Sequence, residues 1–262
     1  MINYRRFFHL NDFIALRPED ERVFDFTHQL VLEMIREGRI TGIRIDHIDG
    51  LYNPADYLKR LKRETGGCYT VVEKILDLDE QLHQGWQIEG TSGYQFMNYL
   101  NAVFCCRDNE KAFTDLYHEF TGYRKPHEEL LYEQKQKFIE MYMQGQFRYL
   151  VFMLKPISAA LPGADKIDEE RLQQALEEMA IALDVYRTYI NEHHFCDADR
   201  KFISDALNLA SQRNPQLENE TRFLRKVFFL DANDVVGKKL KSKLCDFVMR
   251  FQQVTGPIMA KG

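Results

Sequence analysis

Two short runs, Gly-Ile-Arg-Ile-Asp at 42–46 and Val-Val-Glu at 71–73, end β-branched stretches on carboxylates. Side chains two apart on a strand share a face, so Arg44 and Asp46 are expected to point the same way, within ion-pairing reach. A guanidinium there keeps Asp46 ionised. A carboxylate at the C-terminal end of a parallel strand is placed for nucleophilic work, because α/β barrels build their active sites on that face. Glu73 closes the second run behind Val71 and Val72. With one helix between the runs the strands should be neighbours, about 4.8 Å apart. Two carboxylates near that spacing suit the ~5–5.5 Å separation of a retaining glycosidase, one acting as nucleophile and the other as acid/base. The plainer alternative is a structural Arg44–Asp46 ion pair and a solvated Glu73 followed by Lys74.

These residues need elements to hold them. Pro18 to Gly38 opens on an acidic turn and then places Val23, Phe26, Leu30 and Met34 on one helical face. A strand at the 40–46 run follows, then a helix started by Asn53-Pro54 and closed by Gly66-Gly67, then a strand at Tyr69–Val72. Helix, strand, helix, strand at this spacing is the pattern of a parallel α/β sheet or barrel. Beyond residue 95 only helical periods are visible, near 94–105, 108–121, 127–160, 168–191, 197–213, 219–230 and 238–254, with breaks at Pro126, Pro162-Gly163, Cys196-Asp197 and Asn214-Pro215. The expected class is therefore mainly α with a small α/β part. Two strands alone make no stable sheet, and the chain stops on an apolar stretch, so it is expected to be a piece of a longer protein.

The chain has 262 residues, 45% of them hydrophobic and 29% charged, which excludes disorder, collagen and small disulfide scaffolds. A formal charge of −5 gives no field for phosphate backbones or anionic lipid, so neither nucleic acid nor membrane is an expected partner. The opening residues lack the apolar core of a signal peptide, and no stretch suits a bilayer span, so a soluble, cytoplasmic protein is expected. Cys68, Cys105, Cys106, Cys196 and Cys245 form an odd set without CxxC spacing, as reduced thiols do. His193-His194 with Cys196 and Asp197 superficially resembles a metal site, but ligands this close in sequence need help from elsewhere to close a tetrahedron, and no metal is expected. Cys105-Cys106 reads as core, and Phe138 to Leu154, with Met141, Met143, Phe147, Tyr149, Phe152 and Met153, reads as a buried helix or, more sharply, a sugar-stacking groove.

Gly-Ile-Arg-Ile-Asp-His-Ile-Asp-Gly at 42–50 resembles the second signature region of the α-amylase superfamily, glycoside hydrolase family 13, and Val-Val-Glu-Lys at 71–74 resembles its third. Six ordered segments narrow the likeness to the malto-oligosyltrehalose synthase family: 3–8, 44–54, 71–76, 90–94, Val-Tyr-Arg-Thr-Tyr at 185–189, and Arg250 to Gly262. The resemblance implies two strands of a (β/α)8 barrel with their helices in 1–90, a large all-α insertion in 91–240, and a return toward the barrel in 241–262. It also implies a retaining enzyme without cofactor that turns the reducing-end α-1,4 linkage of malto-oligosaccharides into an α,α-1,1 linkage by intramolecular transglucosylation.

On that likeness Asp46 is the nucleophile, Glu73 the general acid/base and Arg44 the residue that orients Asp46, while His47, Asp49, Tyr4, Arg5, Arg6, Tyr94 and Lys261 contact the sugar. Two family features find no match here, a histidine-bearing region on an earlier strand and a third carboxylate in a His-Asp pair on a later one. The rest of a longer enzyme chain is the expected partner. An amylase-like hydrolase and a non-catalytic helical module that binds glucan or a partner are the competing readings.

Overall fold

The computed structural model describes residues 4–77, 80–161, 167–229 and 238–262. Arg6–Phe7 (β1) and Leu10–Ile14 (β2) form an antiparallel pair ahead of helix α1, Glu21–Arg36, whose N-cap Asp20 accepts from the Arg22 N–H. Strand β3, Gly42–Ile45, is followed by helix α2, Pro54–Glu64, started by Asn53 as N-cap and Pro54 in the first turn. Strand β4, Tyr69–Val72, lies parallel to β3 with Ile45 opposite Val72. The neighbouring pair expected from the sequence is thus present. A third parallel strand, β5 at Gly90–Thr91, adds to β4, where the sequence suggested the start of the helical region. Ile48, Leu58, Val72 and Trp86 form the small core beneath this sheet.

Helix α1 does not bury the expected face. Phe24 is fully enclosed, stacked on His28 at 4.0 Å beneath Arg60, whereas Phe26 and Leu30 are 83% and 67% exposed. The edge of α1 carrying Phe24 and His28 meets Tyr57 and Arg60 of α2, while Val23 and Met34 of the expected stripe are half-buried and Phe26 and Leu30 stay exposed.

The helices that follow are α3 (Tyr94–Val103), α4 (Glu110–Thr121), α5 (His127–Phe138), α6 (Gln144–Ser158), α7 (Glu169–Ala182), α8 (Asp197–Arg213), α9 (Glu218–Phe228) and α10 (Lys238–Lys261). A single π turn at Ile139–Met143 joins α5 to α6. Phe147, Leu176, Leu207, Leu224, Phe247 and Phe251 are among the residues of one large core shared by α5 to α10. The breaks at Pro126, Cys196 and Asn214-Pro215 fall where expected, and the Pro162-Gly163 break lies outside the described residues. Four local readings change. Cys105 and Cys106 are exposed rather than core, because α3 and α4 bury none of their side chains. Met141, Tyr149 and Phe152 face outward, while Met143 and Phe147 are buried, so the Phe138–Leu154 stretch is amphipathic and not enclosed all round.

The expected helix over 168–191 stops at Ala182. From there burial alternates: Leu183, Val185 and Arg187 are inside, Asp184 is outside and Tyr186 is half-buried. That is the two-residue period of extended chain, which β-branched Val185, Thr188 and Ile190 favour. Gln252 of α10 serves as its backbone partner: its side chain accepts from the Ile190 N–H at 2.7 Å and donates to the Ile190 carbonyl at 3.0 Å. Helix α10 in turn runs past 254 and through Pro257. Proline has no N–H for the carbonyl four residues back, and that carbonyl, on Gln253, accepts from Arg5 at 3.0 Å instead.

Candidate active site

The β3–β4 register continues one step past the strands, where the Glu73 N–H donates to the Ile45 carbonyl at 2.7 Å, and this sets Asp46 beside Glu73. Arg44 joins them. One terminal nitrogen is 3.2 Å from Asp46 Oδ1 and the other is 3.1 Å from Glu73 Oε1. Glu73 also accepts from the His47 N–H at 2.9 Å and from the Tyr94 hydroxyl at 3.3 Å. Burial pushes the Glu73 carboxyl up, but these hydrogen bonds and the Arg44 charge together outweigh it and hold Glu73 below the usual carboxylate range. Asp46 keeps 67% of its side chain exposed against 24% for Glu73, so one carboxylate is open to an approaching ligand and the other is set into the frame.

The loop after β3 is held by a buried polar network. His47 adopts a left-handed backbone with φ 48°, and its ring packs on Phe7 and Phe8 at 5.1 and 4.7 Å. Burial lowers its pKa, so the ring is neutral near pH 7. Gly50 is needed there, since a Cβ would lie 2.6 Å from the His47 ring. Arg187, fully enclosed, donates to the carbonyls of Asp49 at 2.8 Å and Leu51 at 2.6 Å, and Gln253 donates to the Gly50 carbonyl at 2.9 Å. The Tyr189 hydroxyl donates to Asp49 Oδ1, while Lys74 sits 3.7 Å from Asp49 Oδ2 and 2.8 Å from Glu80. Lys74 is 1% exposed. Two carboxylates and the faces of Tyr186 and Tyr189 replace the water it gives up.

The expected sugar contacts divide on placement. His47 and Tyr94 touch Glu73 directly, His47 through its backbone N–H and Tyr94 through its hydroxyl. Asp49 is buried with both oxygens engaged, so the structure puts it in the support of the loop, not at its surface. Arg5 is spent on the Gln253 carbonyl, and burial beside Arg187 and Arg250 lowers its pKa to about 10. Arg6 holds the Tyr142 carbonyl and Asn11, and the Tyr4 hydroxyl donates to the Asn11 carbonyl, so both tie the β1–β2 hairpin together. Lys261, at the end of α10, lies over the Phe8 ring at 5.4 Å, which brings it toward the His47 side of the site. Val185–Tyr189 is one of the segments that carry the family resemblance, with no role legible in the sequence itself. Its Tyr186 feels the charges of Asp49 and Glu73, and burial with those charges pushes its hydroxyl up to about 12. The strongest available signal was an arginine amid β-branched and aromatic residues in an otherwise helical region.

Asp46 and Glu73 thus stand at the ends of adjacent parallel strands, bridged by Arg44, with Asp46 open to solvent. Known proteins resemble this chain over part or all of its length. A segment of 117 residues, 44% of the chain, is 38% identical to a Mycobacterium tuberculosis protein provisionally named maltooligosyl trehalose synthase. The solved maltooligosyltrehalose synthase of Arthrobacter ramosus matches all of the chain at 32% identity and a TM-score of 0.82. A hypothetical maltooligosyl trehalose synthase of Sulfolobus tokodaii matches 98% of it at 30% identity and 0.69. The chain spans 15% of the length of the curated relative and 31% and 29% of these two structures. No family profile matches the chain. From one end to the other, then, the chain is similar to a segment of maltooligosyltrehalose synthases. Among the described residues no helix is long and apolar enough to cross a membrane.

Proposed function

We propose that these residues are the part of a maltooligosyltrehalose synthase that carries the nucleophile and the acid/base, and that the whole enzyme moves the reducing-end glucose of a malto-oligosaccharide from an α-1,4 to an α,α-1,1 linkage. The observation that supports this best is the Arg44 bridge between Asp46 and Glu73 on adjacent strand ends. Glu73 gives its proton to the glycosidic oxygen as the C1–O bond breaks, and an Asp46 oxygen bonds to C1, leaving a covalent glycosyl ester and free glucose. The glucose turns in place. Its anomeric hydroxyl then returns a proton to Glu73 as its oxygen attacks C1, and the ester bond breaks to restore the Asp46 carboxylate.

Glu73 must carry a proton for the first step, yet in the open site its donors favour the ionised form. A sugar lying over the pair excludes water and strengthens burial, which is already the largest single influence on Glu73 and the one that retains the proton. Excluding water also protects the ester from hydrolysis, and the helical block that leaves the site at Tyr94 is suited to serve as a lid. The test is product analysis with the complete enzyme and a malto-oligosaccharide. A non-reducing, trehalose-capped product that disappears in Asp46→Asn is expected. Reducing maltodextrins would make the enzyme an amylase-like hydrolase, and glucan binding without turnover would make it a binding module.

A further inference from the structure

Far from Asp46 in the sequence, His194, Cys196 and Asp199 bring one imidazole nitrogen, one thiol and one carboxylate oxygen within 4.8 Å of one another. The sequence grouping of His193 and His194 with Cys196 and Asp197 therefore gives way to one with Asp199, two residues further along the first turn of α8. His194 Nε2 is 3.5 Å from Asp199 Oδ2, and Cys196 Sγ is 3.2 Å from the same oxygen. In a tetrahedral zinc site, bonds of ~2.0–2.1 Å to nitrogen, ~2.0–2.2 Å to oxygen and ~2.3 Å to sulfur set neighbouring ligand atoms about 3.3–3.6 Å apart. The two observed edges lie close to that range.

Three further features belong to a site and not to simple packing. His194 Nε2 is enclosed and has no hydrogen-bond partner, although it faces a carboxylate. Asp199 is buried, and its other oxygen accepts from the Tyr189 N–H at 3.2 Å, which orients Oδ2 toward the cluster as an outer hydrogen bond orients a ligand. The help missing from the sequence comes from His83, whose ring centroid is 3.9 Å from that of His194. His83 Nδ1 accepts from the Gly85 N–H at 3.0 Å, so Nε2 carries the hydrogen in the neutral ring, and that buried N–H also lacks an acceptor.

We propose that His194, Cys196 and Asp199 form a binding site for one zinc-like divalent cation, the fourth place being taken by a water that can accept from His83. Thiolate and carboxylate together cancel the charge of the ion. The neutral assembly is therefore compatible with the positive N-terminal end of α8, where Cys196 is the N-cap. Thiolate and imidazole ligands select zinc or cobalt over magnesium or calcium. Such an ion pins the 191–196 turn to α8, immediately beyond the Arg187–Tyr189 stretch that holds the candidate active-site loop.

Cobalt titration of the purified chain, stripped of metal and kept reduced, tests this directly. One equivalent of Co²⁺ should produce a thiolate-to-metal charge-transfer band with tetrahedral d–d absorption, and Zn²⁺ should displace it and raise the melting temperature. Cys196→Ser is the decisive variant, because serine keeps the N-cap hydrogen bond and the fold while removing the thiolate. It should lose the charge-transfer band, and His194→Ala and Asp199→Asn should each weaken Zn²⁺ binding roughly tenfold or more, whereas Asp197→Asn should bind as the parent does. Absence of a stoichiometric cobalt spectrum in the parent chain, or a charge-transfer band that survives Cys196→Ser, would overturn the proposal and leave only a capped helix with a His–Asp contact.

Discussion

Arg44 acts on two carboxylates at once, and this sets what a substitution at the site should do. Replacing it with methionine removes a charge that stabilises ionised Glu73 while leaving burial, which opposes ionisation, in place. The Glu73 pKa should therefore rise in Arg44→Met, as read by carbon-detected NMR of the side-chain carboxyl. An unchanged value would mean that the His47 N–H and Tyr94 suffice. The same sign governs stability in the parent chain. Because Glu73 sits below its ordinary value in the fold, its contribution is present above the unfolded pKa and is lost as pH falls through the folded one. Denaturant melts that showed Glu73→Gln more sensitive to acid than the parent would contradict this. Gly50 gives a second residue-scale expectation. Gly50→Ala drives a Cβ into the His47 ring, itself wedged against Phe7 and Phe8, and should cost about 1–3 kcal/mol of unfolding free energy with displacement of that ring. The Arg44–Asp46 pair was legible in the sequence because strand alternation fixes it. The employment of Arg5 and Asp49 was not, because it depends on a carbonyl freed by Pro257 and on cations 25 and 138 residues further along.

At the scale of elements, local pattern sufficed where a segment makes its own structure and failed where distant chain completes it. The acidic opening before α1, the Asn53-Pro54 start and the β-branched runs announced α1, α2, β3 and β4. Strand β5 is two residues long and exists by pairing with β4, so it has no periodicity to read. Residues 183–187 alternate inside and out, but the hydrogen-bonding partners of the extended segment are side chains of distant helices, Gln252 and Thr255 on α10 and Asp199 on α8, which no local pattern reveals. This extended segment carries the donors that hold the 47–51 loop. Arg187→Met should therefore leave the Asp49 and Leu51 carbonyls enclosed without partners, at a cost of ~3 kcal/mol or more in urea unfolding. A loss under half that size would mean that Gln253 and Tyr189 hold the loop without it. The helical lid makes its own forecast: in the complete enzyme, Tyr94→Ala should raise the share of released glucose over trehalose-capped product, whereas an unchanged ratio with lower stability would make the block a buttress.

Across the whole molecule, the α5–α10 block has a continuous core, while the sheet is small and α3 and α4 present Phe96, Tyr99, Phe104, Phe113 and Phe120 to solvent. An apolar surface of this extent favours association. The chain alone is expected to sediment as concentration-dependent oligomers, and a single monomeric species at every concentration would contradict that. It is also expected to show no synthase activity by itself, since it spans under a third of the synthases it resembles in structure and transition-state stabilisation depends on all parts being placed together. We propose Asp46 as the nucleophile of a retaining reaction framed by Arg44 and Glu73. The most direct measurement is mass spectrometry of the complete enzyme after reaction with a fluorinated glucosyl fluoride that accumulates the covalent intermediate. A glycosyl ester on the peptide containing Asp46, absent in Asp46→Asn, is the predicted result; an ester on another carboxylate, or turnover with no covalent species, would contradict it.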